Sequence, residues 1–241
     1  MINFKHTLAA VALTVTAVGT AQADVVLDDF TYDPVINLLV DNNSATAVSD
    51  YDTTTRTDIN AYNGDVIYEL QALPASADAA VDTSATSFTL FSDGVLALNN
   101  DNFMFTEISM TYADTNANAG PLDLLSFGEH FYFDVVASDI GFAYSVAVGD
   151  IFGGVSIFSD ISSQITSLTR ELVSFSSFVA APSFTAADFS SVAFVNVTIT
   201  TQNAGADLTL TEFGVVPEPA SLAVFGMGLL GLVGLRRRKQ A

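Results

Sequence analysis

Three segments of the chain alternate between apolar residues and small or polar residues. The alternation runs through residues 130–135, 140–148 and 193–200. Successive side chains of an extended strand point to opposite faces of a sheet, so a period of two predicts strands that bury one face. The same region shows no long stretch with the period of an amphipathic helix. These patterns predict that residues 24–214 form an all-β domain.

Further short runs rich in Val, Ile, Phe, Tyr and Thr are separated by clusters of Asn, Asp, Gly and Ser. They predict strands at residues 25–30, 66–70, 87–91, 95–99, 103–112, 155–158, 170–175 and 207–213. Asp93-Gly94 between two of these runs predicts a hairpin. About eleven strands in one domain predict a two-sheet, jelly-roll-like sandwich. Two stretches, 41–64 and 72–85, are predicted to be long surface loops, and residues 38–47 a short turn.

Charge is distributed very unevenly along the chain. Residues 24–216 hold 26 of the 27 Asp and Glu residues, but of the seven Lys and Arg residues only Arg56 and Arg170. Such an anionic surface repels phosphate, which argues against nucleic acid and anionic lipid headgroups as partners. It suits either solubility in salty or extracellular surroundings or the binding of Ca²⁺, which prefers oxygen ligands. Because Cys is absent, a disulfide framework and a thiolate zinc site are excluded.

The N-terminus has the three parts of a secretory signal peptide. Lys5 supplies a basic start, residues 8–18 are apolar, and Ala21-Gln22-Ala23 is a small-residue cleavage site. We expect cleavage between Ala23 and Asp24. Residues 1–23 are therefore predicted to be removed on export.

The C-terminus carries a second apolar run, residues 220–235, followed by Arg236, Arg237, Arg238 and Lys239. At 1.5 Å per residue a helix of this run spans about 24 Å, less than the roughly 30 Å hydrocarbon core. The positive-inside rule places the basic tail in the cytoplasm and the acidic domain outside. A helix this short suits a temporary anchor in the inner membrane, held until a processing enzyme acts.

In residues 215–241, Val216-Pro217-Glu218-Pro219-Ala220 is followed by the apolar run and then by the basic cluster. This order of parts resembles the PEP-CTERM sorting signal of Gram-negative bacteria. The two prolines prevent a helix through the motif, so it is expected to be extended and accessible. The resemblance implies processing by an exosortase, a membrane-embedded cysteine transpeptidase. It also implies a link to exopolysaccharide and biofilm production, with delivery to the cell surface or extracellular matrix.

In the middle of the chain, Val26-Leu27-Asp28-Asp29-Phe30 opens the domain, and residues 207–213 close it. This order is similar to that of galactose-binding-like jelly rolls, which include some carbohydrate-binding modules. The resemblance implies that the first and last strands lie close together and that a structural Ca²⁺ sits near them. Where this family often ends in an Asp-Asn-Phe-like sequence, the chain has Thr211-Glu212-Phe213.

Few residues offer chemistry that the sequence can single out. His130 is the only histidine in residues 24–214, and no G-x-S-x-G nucleophile elbow is present, so no catalytic residue is predicted. Asp28 and Asp29 are adjacent and thus lie on opposite strand faces, which leaves one to point inward. An inward acid needs a cation, Arg170 or backbone amides as partner. Asp28, Asp29 and Glu212 are the candidate Ca²⁺ ligands, and no other cofactor is predicted.

These features favour an exported, exosortase-processed protein with a non-enzymatic, glycan-associated β-sandwich. Two alternatives stay open. One is a secreted hydrolase that acts on polysaccharides with two carboxylates at a separation of roughly 5–10 Å. The other is a Ca²⁺-dependent adhesive protein of the matrix.

Overall fold

The computed structural model describes residues 24–31, 36–41, 51–59, 64–73, 86–92, 94–100, 104–113, 120–203 and 205–216. Within them Val25–Val216 form one compact unit. No helix in these ranges is long and apolar enough to cross a membrane. The predicted signal peptide and the sorting signal from Pro217 onward lie outside the described residues.

The described part of the chain is built from strands, which confirms the all-β prediction. The strands are β1 (Val25–Asp28), β2 (Ile36–Asp41), β3 (Tyr51–Ile59), β4 (Gly64–Leu73), β5 (Thr86–Ser92), β6 (Val95–Asn100), β7 (Phe105–Ala113), β8 (His130–Ser138), β9 (Phe142–Asp150), β10 (Val155–Ser162), β11 (Thr169–Ser174), β12 (Val179–Ala180), β13 (Val192–Thr201) and β14 (Leu208–Val216). Two single-turn 3-10 helices, Leu124–Ser126 and Phe175–Ser177, lie between strands.

The strands form two antiparallel sheets of seven strands each. The first sheet has the order β11-β8-β14-β6-β5-β2, with β1 also paired to β14, and the second has the order β12-β10-β9-β13-β7-β4-β3. Consecutive strands cross from one sheet to the other at several points, as in a jelly roll. The predicted jelly-roll-like sandwich is confirmed.

The alternating segments bury one face, as their period predicts. In β8, Phe131 and Phe133 are buried in the core, and both rings stack on Phe213 of β14 at centroid distances of 5.5 and 4.9 Å. In β9 and β13 the buried residues again stand at every second position over most of the strand. Each buried phenylalanine contributes about 1.5–3 kcal/mol to the free energy of folding.

The first and last strands are neighbours, as the resemblance implies. Val26 pairs with Gly214, and Asp28 pairs with Phe213 across a bulge. Gly214 has no room for a side chain, because a Cβ there would lie 2.7 Å from a ring carbon of Tyr132 and even closer to the carbonyl oxygen of Val25. This glycine therefore permits β1 to close over β14.

The structure corrects the sequence prediction near the N-terminus of the domain. The predicted loop 41–64 contains β3, which pairs with β4 along most of its length, and the predicted turn 38–47 begins inside β2. β3 is a polar, Thr-rich edge strand, so it lacks the apolar alternation of a strand with a core face. Thr favours extended backbone even there. The hairpin at Asp93-Gly94 is confirmed, since Ser92 pairs with Val95 and Gly94 has a φ of 79°.

Candidate functional site

The inward acid of the first strand is Asp28, and its partners are tyrosines of the opposite sheet. Its Oδ2 accepts hydrogen bonds from the hydroxyls of Tyr68 (2.5 Å) and Tyr112 (3.0 Å), and its Oδ1 accepts one from the amide of Phe30 (2.9 Å). Of the partners expected from the sequence, a cation, Arg170 or backbone amides, the amide of Phe30 is present. The tyrosines were not expected, although both stand at inward positions of predicted strands and a buried tyrosine hydroxyl needs a partner.

The structure does not gather the three candidate Ca²⁺ ligands around one point. Asp29 is exposed and caps a local turn by accepting from the amide of Thr31 at 3.0 Å. Glu212 lies on the outer face of β14, 3.7 Å from Arg170. Among the described residues no group of three or more His, Cys, Asp or Glu is arranged to hold a metal. The Ca²⁺ assignment stays a prediction.

Arg170 organises a polar cluster on the outer face of the first sheet. Its guanidinium donates to both oxygens of Asp134 at 2.8 and 2.7 Å, and it lies 4.0 Å above the centre of the Tyr132 ring. Burial, followed by the hydrogen bond and charge of Asp134, raises the pKa of Glu212, and Arg170 offsets part of this rise. Arg170 of β11 thus joins Asp134 of β8 and Glu212 of β14.

His130 begins β8, half-buried, and pairs with Val216 of β14 and Ser174 of β11. It shares the outward face with Tyr132 and Asp134, as its position in the alternation predicts. Ser174 is its cross-strand neighbour on the same sheet face, and the Ser174 hydroxyl lies 2.8 Å from the hydroxyl of Ser176.

An open groove of about 490 Å³ lies at the border of the second sheet, beside β10. Its lining comes from β9, β10 and the end of β13, and we call it the outer groove. The lining residues are Ala143, Tyr144, Ser145, Ser159, Asp160, Ile161 and Thr200. Asp160 pairs with Tyr144 and Ile161 with Ala143, so Asp160 and Ile161 stand on opposite faces of β10. Hydroxyls and one carboxylate beside an exposed isoleucine match the mixed polar and apolar surface of a sugar.

The outer face continues from the groove into rows of small polar side chains. The amide of Asn196 donates to the hydroxyls of Ser109 and Thr111, each at 2.8 Å, and its oxygen accepts from Thr198 at 3.0 Å. Thr200 at the groove donates to Glu107 at 3.2 Å. Strand pairing between β7, β13 and β9 fixes the spacing of these groups. The result is a polar face that presents many donors and acceptors at once.

Two carboxylates, Asp160 of the outer groove and Glu171 of β11, lie near Tyr144. Burial first, and then the negative charges of Asp160 and Glu171, raise the pKa of Tyr144 to about 12. Glu171 also accepts a hydrogen bond from the hydroxyl of Ser162 at 3.3 Å. Tyr144 consequently stays protonated and can act only as a neutral hydrogen-bonding group near neutral pH.

The sorting signal follows the last strand without a linker. Val216 ends β14, and its carbonyl accepts from the amide of Glu129 at 3.4 Å. Residues 215–239 match the family model described as the PEP-CTERM protein-sorting motif. The motif implies export, membrane-anchored processing and an exosortase as the processing enzyme. The model covers only this tail, so the domain itself is not assigned to a family by it.

No curated protein matches the chain. Three solved structures illustrate the distant likenesses of the domain. PfGH50B is 9% identical, with a TM-score of 0.38 over 55% of this chain, which spans only 22% of that protein. The family 11 carbohydrate-binding module of cellulase Lic26A-Cel5E from Clostridium thermocellum is 12% identical, with a TM-score of 0.39, over 82% of this chain and 96% of the module. The family 30 module of cellulase Cel9D-Cel44B from the same organism is 12% identical, with a TM-score of 0.40, over 81% and 98%.

Proposed function

We propose that this protein is an exported, exosortase-processed surface or matrix protein whose β-sandwich is a non-enzymatic, glycan-associated module. The observation that carries the proposal is the sorting motif at residues 215–239, which begins inside the last strand of the domain. The module would travel to the surface as cargo and remain folded after the tail is processed.

The fate of the tail is tested by intact mass. The mature protein is measured in cells with and without the exosortase, and in a variant with Pro217, Glu218 and Pro219 replaced by alanine. We expect a C-terminally processed protein only when both enzyme and motif are present. The same C-terminus in all three samples would rule out the sorting role.

The outer groove is the part of the domain that we assign to glycan contact. Asp160 and Thr200 offer a carboxylate and a hydroxyl to sugar hydroxyls, and Ile161 offers an apolar surface to ring carbons. The ligand class that fits is a neutral polysaccharide, since the anionic domain repels an acidic one.

A glycan array with the purified protein identifies the ligand, and a reducing-end assay on the same glycans tests for cleavage. Asp160→Asn and Thr200→Val should each weaken binding on the order of tenfold, the effect of losing about 1.4 kcal/mol. Thr209→Val, on the outer face of the other sheet, is the matched control. Equal binding by all four proteins would place the ligand elsewhere, and turnover would replace binding by catalysis.

The hydrolase alternative keeps one specific basis, the approach of Asp160 and Glu171 to Tyr144. In that case both Asp160→Asn and Glu171→Gln would abolish release of reducing ends.

The Ca²⁺-dependent adhesive alternative is tested by melting with and without Ca²⁺. Binding to the native state must raise the Tm as the Ca²⁺ concentration rises.

A further inference from the structure

Two loops at one end of the sandwich are locked together by hydrogen bonds. One is the turn of residues 151–154 between β9 and β10, and the other is the segment 181–191 between β12 and β13. The amide of Val155 donates to the carbonyl of Thr185 at 2.9 Å. Asp150 accepts from the amides of Phe152, Gly154 and Asp188, each at 2.8 Å. The two loops therefore form one ordered surface.

The apolar side chains of this surface are exposed to solvent. Phe152 is 75% exposed, and Ile151 and Phe184 are each 53% exposed. Because the backbone around them is fixed by Asp150 and Val155, the exposure is a property of the folded domain. Exposed apolar groups grouped in this way mark contact surfaces. We call Ile151, Phe152 and Phe184 the apolar tip.

The apolar tip lies at the end of the sandwich where the chain leaves the domain. Val216 pairs with His130, the first residue of β8. The amide of Phe175, which follows β11, donates to the carbonyl of Glu129 at 2.9 Å. The ring of Phe175 lies 4.8 Å from that of Phe189, which stands in the same loop as Phe184. These contacts connect the exit at Val216 to the loops of the tip.

The length of chain beyond Val216 limits how far this end can be from a membrane. Residue 220, where the apolar run begins, is four residues further on. Four residues span at most about 14 Å, since an extended chain covers no more than 3.3–3.6 Å per residue. While the apolar run is in the bilayer, the end of the domain that carries the tip must stay close to the membrane surface.

Exposure alone does not single out this end. Leu168, at the opposite end of the sandwich, is 68% exposed. It precedes β11, whose first residue pairs with Val135 far from Val216 along the sheet. Position relative to Val216, where the chain leaves the domain, distinguishes the two ends, and Phe152 and Phe184 lie at the Val216 end. Phenylalanine is well suited to insertion at the lipid interface.

From this juxtaposition we infer that the apolar tip is a membrane-contact surface, which inserts Phe152 and Phe184 into the lipid interface while the C-terminal segment anchors the protein. The inference rests on the membrane-anchored stage of the proposed function. The apolar tip contacts a neutral lipid surface, because the acidic domain repels anionic headgroups. At this end Asp150 and Asp188 already accept backbone amides.

The chain contains no tryptophan, so a single introduced tryptophan reports its own surroundings. The full-length protein is reconstituted in phosphatidylcholine vesicles as Phe152→Trp, Phe184→Trp or Leu168→Trp, and near-ultraviolet circular dichroism checks the fold. We expect blue-shifted emission and strong quenching by brominated lipids for the two tip variants. Leu168→Trp should emit as in water and resist quenching.

Four other results would overturn the inference. Equal quenching at positions 152 and 168 would mean that the domain lies on the membrane without a preferred end. A blue shift without quenching would mean that protein, such as a second copy, covers the tip. Water-like emission from tip variants that co-sediment with the vesicles would exclude contact while leaving anchoring intact. Failure to co-sediment at all would instead remove the anchored stage itself, and with it this inference.

Discussion

The hydroxyl of Tyr68 donates a hydrogen bond to Oδ2 of Asp28 across 2.5 Å, from one sheet of the sandwich to the other. Tyr112 donates to the same oxygen, so a single buried carboxylate joins β1 to β4 and β7. A buried acid costs free energy unless its oxygens are satisfied, and two hydroxyls and one amide satisfy these. The short first strand is thereby attached to both sheets.

Tyr68→Phe is expected to lower the free energy of unfolding by about 1–3 kcal/mol, because it removes a hydrogen bond from a buried charged group. Urea unfolding followed by circular dichroism measures the change. Tyr144→Phe is the matched control, since the Tyr144 hydroxyl lies near acids that repel its ionised form. A loss in Tyr144→Phe as large as that in Tyr68→Phe would contradict the role of Asp28.

Asp150→Asn is expected to weaken the acid dependence of stability. Backbone hydrogen bonds, the one from Asp188 first, hold the pKa of Asp150 below its ordinary value. A carboxyl group whose pKa is lower in the folded than in the unfolded state stabilises the fold at pH values above its unfolded-state pKa. This stabilisation is lost as the pH falls from about 4 through the folded-state pKa. Urea unfolding between pH 2 and 6 should show that the free energy of unfolding of Asp150→Asn falls less steeply with decreasing pH than that of the wild type. Thr209→Val, which removes no titrating group, should show the same pH dependence of the free energy of unfolding as the wild type.

Two substitutions at Arg170 separate its charge from its geometry. Arg170→Gln should raise the pKa of Glu212 further, because Arg170 opposes the rise caused by burial and Asp134. Arg170→Lys should leave that pKa near its wild-type position. Both lose the two-pronged contact with Asp134 and should lower stability by about 1 kcal/mol, the modest value of a half-exposed pair. Carbon NMR titration of Glu212 gives the pKa, and an unchanged value in Arg170→Gln would refute the coupling.

Gly214→Ala should destabilise the domain by at least about 2 kcal/mol, since the new Cβ meets β1 backbone and the Tyr132 ring. Gly153→Ala provides the comparison. Its φ is 89° and no atom lies within 4 Å of a Cβ there, so only backbone strain of about 1 kcal/mol is expected. Thermal unfolding of the two variants measures both effects, and the larger loss must belong to Gly214→Ala.

The strands with a core face were predictable from the sequence. In β8, β9 and β13 apolar residues recur with a period of two because one face meets the core and the other meets water. Edge strand β3 was missed for the same physical reason, since a polar strand at the border of a sheet has little apolar pattern to reveal it. The C-terminal sorting motif was also readable, because its function depends on a short contiguous order of residues.

The arrangement of side chains from distant parts of the chain was decided only by the tertiary structure. Asp28 was predicted to need a partner, but Tyr68 and Tyr112 are 40 and 84 residues away and meet it only because the two sheets face each other. The outer groove likewise forms where β9, β10 and β13 lie side by side, and the apolar tip where two loops close at the exit of the chain. Local pattern fixes which residues face inward, whereas strand order and sheet packing fix which of them meet.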